Sequence, residues 1–105
     1  MSKNTPWGPS QTSRHIGEGI FSHSTAGHGG LYVPPEKLAE MPAALRCNVY
    51  AGGGSWFEED CEWALVCLAF PYLFTNYEIW QAGRTVAGSS TYKEAALWLN
   101  LEAGE

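Results

Sequence analysis

Apolar and polar residues alternate loosely in the first half of the chain, then recur at spacings of three and four in the second half. In "RHIGEGIFSHS" (14–24), Ile16 and Ile20 fall on one side while Phe21 and His23 fall on the other. That pattern predicts a strand interrupted by a bulge at Gly17 and Gly19. "AGHGG" (26–30) reads as a turn, since glycine takes the positive φ that tight turns demand, and "LYV" (31–33) as the returning strand of a hairpin. "PPEKLAEMP" (34–42) has prolines at its start, an acid in its first turn and a closing proline, which predicts a short helix. "LRCNVYA" (45–51) alternates and is expected to be a further strand, ended by Gly52–Gly54.

Beyond Gly54 the period changes. Ser55 and Glu58 have the spacing of a capping box, and Phe57, Cys61, Ala64, Leu65 and Leu68 share one helical face, predicting a helix from Ser55 to Pro71. Glu58, Glu59, Asp60 and Glu62 would then crowd its first turns, where the helix dipole favours negative charge. Thr75 and Glu78 predict a second helix stopped by Gly83, and Thr91 with Glu94 a third over 91–104. Residues 1–12, with two prolines and Gly8, read as an irregular arm that Trp7 pins to the core. The expected architecture is a single α+β domain over 1–105. Residues 14–51 supply mainly strands and residues 55–104 mainly helices, with a small antiparallel sheet packed against them.

Charge sharpens this picture. Residues 1–54 balance to +1, whereas residues 55–105 carry eight acids against Arg84 and Lys93, a balance of −6. Such a half repels phosphates, which argues against direct nucleic-acid or anionic-membrane binding and favours a basic protein partner. The opening residues lack the apolar core of a secretory signal, and no apolar run approaches the ~18–20 residues of a membrane span. Three cysteines without regular spacing fit a reducing compartment, so a cytoplasmic location is expected.

The candidate chemistry is thin. His23, Ser24, Thr25 and His28 surround the glycine turn, yet no paired Cys or His-Glu-x-x-His spacing marks a metal site, so no metal or other cofactor is expected. A nucleophilic site would need Ser24 or a cysteine beside an oriented histidine, and the loop reads first as a turn and second as a contact loop. The acids offer more. If Glu58, Glu59, Asp60, Glu62 and Glu78 lie along helix faces, their pitch imitates the repeated charge of a nucleic-acid backbone, with Trp56 and Trp63 as apolar anchors.

"TPWGPSQTSRHIGEGIFSHSTAGHGGLYVPPEKLAEMP" and "WFEEDCEWALVCLAFP", spanning about residues 5–71, resemble a domain of unknown function found in short proteins of bacteria, phages and mobile elements. The motifs are Pro-Trp-Gly-Pro, Ser-Thr-Ala-x-His-Gly-Gly and Trp-x-Glu-Glu-Asp-Cys-x-Trp; the tail from Leu73 is unmatched. The resemblance implies no reaction and no catalytic residue, but it does imply a mobile-element setting, where small acidic proteins often inhibit host defences. Three expectations follow. The first is a monomeric anti-CRISPR inhibitor whose acids block a basic DNA-binding surface of an effector. The second is a small hydrolase or transferase using His23, Ser24 and His28. The third is a non-enzymatic interaction module docking through Trp and Tyr.

Overall fold

The turn Gly17-Glu18-Gly19 joins the first two strands of the main sheet. All three residues have positive φ, with Glu18 at 54° and Gly19 at 86°, so the chain reverses there. A computed structural model describes residues 4–48 and 54–101. In it the expected single strand over 14–24 is two strands, β3 (Thr12–Gly17) and β4 (Ile20–Ser24), paired antiparallel with a register shift between His15 and Gly17. The bulge is where the glycines predicted it, but they also turn the chain. Upstream, β1 (Asn4–Thr5) and β2 (Gly8–Pro9) form a two-residue hairpin inside the stretch expected to be irregular.

The next turn is shorter than "AGHGG" and spans 25–28, because Gly29 and Gly30 already belong to β5 (Gly29–Tyr32), paired with Ser24 and His23 of β4. None of Gly27, Gly29 and Gly30 has positive φ; Thr25 closes the turn by hydrogen bonds to His28 instead. The helix α1 (Pro35–Leu38) follows its prolines as expected. Residues 45–51 depart from expectation. Ala43–Leu45 form a single 3-10 turn, residues 46–48 have no regular structure, and residues 49–51 lie outside the described residues. Asn48 is buried instead, donating its side-chain amide to the carbonyls of Gly54 and Trp56 at 2.9 and 2.7 Å.

The largest correction concerns the predicted helix from Ser55. Residues Trp56–Glu58 are a strand, β6, which pairs antiparallel with β5 at Leu31↔Phe57 and gives the sheet order β3-β4-β5-β6. Phe57 is fully buried while its neighbours are half-exposed, the period-two signature of a strand. Glu58 does cap backbone donors, but those of Asp60 and Cys61 in the turn that follows. The helix proper, α2 (Trp63–Ala69), starts after Glu62 and ends at Phe70 before Pro71, as the proline predicted.

The Thr75–Glu78 capping box is present in both directions and opens α3 (Asn76–Ala87). Gly83 does not stop this helix; a mid-helix glycine costs only about 1 kcal/mol, and the end comes at Gly88. Near the C-terminus, Ser89 rather than Thr91 caps a 3-10 turn, and α4 (Lys93–Trp98) is shorter than predicted, closed by Asn100 at φ 58°.

The chain is therefore α+β, with helices on one face of an antiparallel sheet. Ile20, Leu31 and Phe57 from the inner sheet face meet Leu65 and Val66 of α2 and Val86 of α3, each contributing about 1.5–3 kcal/mol by burial. The outer face carries a ladder of rings: Phe21 stacks on His23, and Trp56 touches His23, Tyr32 and Trp7. Trp7 thus does pin the N-terminal hairpin to the sheet. Among the described residues no helix is long and apolar enough to cross a membrane.

Candidate functional site

Strand alternation sorts the residues singled out in the sequence onto different faces. On β4, His23 belongs to the outer face, where its Nδ1 lies 2.9 Å from the Ser10 hydroxyl and its ring is 6% exposed. Ser24 points the opposite way and hydrogen-bonds the Thr12 hydroxyl. His28 is exposed on the turn, its backbone N–H donating to Thr25 Oγ1 at 3.1 Å. His23, Ser24 and His28 are thus near in sequence but do not form a nucleophile–base pair. Thr25 serves the turn itself, donating its hydroxyl to the His28 carbonyl at 2.7 Å.

The three cysteines are all held toward the protonated thiol. Burial pushes the Cys67 thiol up to about 12, and burial followed by nearby carboxylates raises Cys47 and Cys61 as well. A reactive cysteine needs the reverse shift, toward thiolate.

The acids are dispersed, not aligned. Glu62, expected on an exposed surface, is fully buried and accepts the Glu58 backbone N–H at 3.1 Å. It therefore drops out of any partner-binding row. Glu58 is half-exposed with one carboxylate oxygen occupied by the following turn, while Glu59 and Asp60 are exposed. Glu78 accepts the Thr75 backbone N–H at 2.9 Å through one oxygen.

Two of these acids come together again in a cleft of about 270 Å³ between the sheet and α3. Glu59 enters from the turn after β6, Glu78 and Gln81 from α3, and Arg14, Ser22 and Ser24 from the sheet. Among the described residues the ion pairs join Lys37 to Glu18 and Glu40, so Glu59, Glu78 and Arg14 are without one there. Around α3 from Glu78, Tyr77 and Trp80 stack at 6.0 Å and stand 64% and 56% exposed, with the Arg84 guanidinium over the Trp80 ring.

A second cluster was invisible in the sequence. His28, Glu58 and Asp60 place one ligand atom each within 4.8 Å of one another, a donor set that could hold a cation. With Glu58 to Asp60 assigned to a helix, nothing in the local pattern linked them to a residue thirty positions earlier.

One family model, a domain of unknown function designated DUF7007, matches residues 1–98. Comparison with curated proteins and with solved structures found no match. The chain belongs to the DUF7007 family, and the match runs beyond the motif resemblance, which left the tail from Leu73 unmatched, through α3 to the end of α4.

Proposed function

We propose that this member of the family is a non-enzymatic binding protein whose cleft between sheet and α3 receives a basic segment of a protein partner. One observation carries the reading: Glu59 and Glu78 line the same cleft from separate elements, and neither is ion-paired among the described residues. Two carboxylates held by different elements define a fixed site for a partner's lysine or arginine, and such complementarity sets register and specificity. Arg14 on the sheet wall keeps the cleft from being uniformly negative, which suits one or two cations rather than a long basic run. Tyr77 and Trp80 beside it are the residue types that dominate binding energy when a partner buries them.

The narrower reading is an inhibitor of a bacterial defence system, an anti-CRISPR protein that blocks a basic DNA-binding surface of the effector. The formal charge of −5 and the exposed Glu59 and Asp60 support it, with Glu58 and Glu78 as half-exposed contributors and Glu62 excluded by burial. A phage-plaquing assay in hosts carrying different CRISPR types tests it. Expression of the wild-type chain is expected to restore plaquing against one type. Glu59→Lys combined with Glu78→Gln, which keeps an oxygen for the helix cap, is expected to abolish that rescue. No rescue in any type overturns the anti-CRISPR reading, and rescue by the double variant overturns the charge mechanism.

A further inference from the structure

The register Gly30↔Glu58 and the hydrogen bond from the Glu59 N–H to the Gly29 carbonyl, 3.0 Å, lock the turn before β5 against the turn after β6. That junction sets His28 beside Glu58 and Asp60. The backbone of His28 and one oxygen of Glu58 are held in place. Thr25 ties the His28 backbone in its turn, and the Asp60 and Cys61 N–H groups fix one oxygen of Glu58 at 2.9 and 3.1 Å. The other Glu58 oxygen, the Asp60 carboxylate and the imidazole remain as donors, and no ion pair among the described residues engages either carboxylate. Their ligand atoms already lie within 4.8 Å of one another. Donors at about 2.0–2.2 Å around one ion are separated by somewhat less than that, a gap that rotation of exposed side chains closes.

We propose that His28, Glu58 and Asp60 form a binding site for a divalent transition-metal ion, for which Zn²⁺ is the natural probe. One imidazole nitrogen and two carboxylate oxygens suit borderline ions rather than Mg²⁺ or Ca²⁺, which take all-oxygen shells. Three protein ligands leave a fourth position to water, so the ion is both a clamp between two turns and an exposed contact point. Binding would also offset the charge of Glu58 and Asp60. The site does not depend on the cleft reading, because Glu59 and Glu78 are not ligands, and it takes up Glu58 and Asp60 of the wider acidic surface.

The test is calorimetric titration of Zn²⁺ into the full chain, reduced and freed of metal, in parallel with His28→Ala, Asp60→Asn and the control His15→Ala. One ion per chain is expected. His28→Ala and Asp60→Asn should each weaken binding by about tenfold or more, while His15→Ala leaves it unchanged. Zn²⁺ should raise the melting temperature of the wild type and not that of His28→Ala. Co²⁺ substitution separates this site from a thiol site, because N and O donors give weak visible bands without thiolate charge transfer. Circular dichroism confirms that the variants are folded. Absence of Zn²⁺ binding, binding indifferent to both substitutions, or a thiolate band with Co²⁺ would each overturn the proposal.

Discussion

Gly30 is the position at which the whole arrangement of β5 and β6 can be broken with a single methyl group. A Cβ there would overlap the Phe57 carbonyl oxygen and the Trp7 ring, both well inside van der Waals contact. The ring can swing away, but the carbonyl is backbone of the neighbouring strand and cannot yield without parting β5 from β6. Overpacking of this kind costs about 1–3 kcal/mol, and the rigid obstacle puts Gly30→Ala at the upper end. Displacing Trp7 from its edge-on contact with Trp56, ring centroids 5.8 Å apart, adds about 0.5–1.5 kcal/mol. Against these, the stiffer unfolded chain returns about 0.4–1 kcal/mol. The net loss is about 3 kcal/mol, which lowers the melting temperature by roughly 12–24 °C for a domain of this size. Urea unfolding followed by tryptophan fluorescence and by circular dichroism measures it. A further truncation, Trp7→Ala, should not restore stability, because the carbonyl overlap persists. A loss below about 0.5 kcal/mol in Gly30→Ala would refute the pairing of β5 with β6, and with it the placement of Glu58 and Glu59.

Burial separates the remaining expectations from those of an acidic surface helix. Glu62→Ala should cost about 2–3 kcal/mol in urea unfolding, because it strands the Glu58 N–H and empties a fully buried site; the exposed Glu59→Ala should stay within about 0.5 kcal/mol. Equal small effects would mean that Glu62 faces solvent. The raised thiol of Cys67 stays protonated through pH 8–9, whereas the unfolded thiol already ionises there. Labelling at pH 8.5 with a thiol reagent, read by mass spectrometry, should therefore modify Cys67 only after urea unfolding; labelling of the native protein at the unfolded rate would contradict its burial.

Where the determinants were local, the sequence was readable. The prolines around α1, the glycine-rich turn before β5, Pro71 after α2 and the Thr75–Glu78 box each act within a few residues, and each element formed there. The segment 55–62 misled because Phe57 and Cys61 continue, by coincidence of spacing, the apolar face that truly belongs to α2. What decides it is tertiary: without β6 the edge of β5 would be unpaired, and Phe57 opposite Leu31 both completes the ladder and fills the core. The same pairing explains the candidate sites. Glu59 reaches the cleft with Glu78, and His28 meets Glu58 and Asp60, only because strands far apart in sequence are neighbours in the sheet. The inward turn of Glu62 likewise depends on the β6–α2 connection and has no signature in the charge pattern.

The cleft reading is tested most directly by titrating a short lysine- and arginine-containing peptide into the isotopically labelled protein at about 50 and 300 mM salt. The expected result is a set of chemical-shift changes centred on Glu59, Glu78 and Gln81, an affinity several-fold weaker at the higher salt, and loss of both in Glu59→Lys/Glu78→Gln. Shift changes confined to the outer sheet face or to α4, or an affinity indifferent to salt and to the two substitutions, would contradict the account.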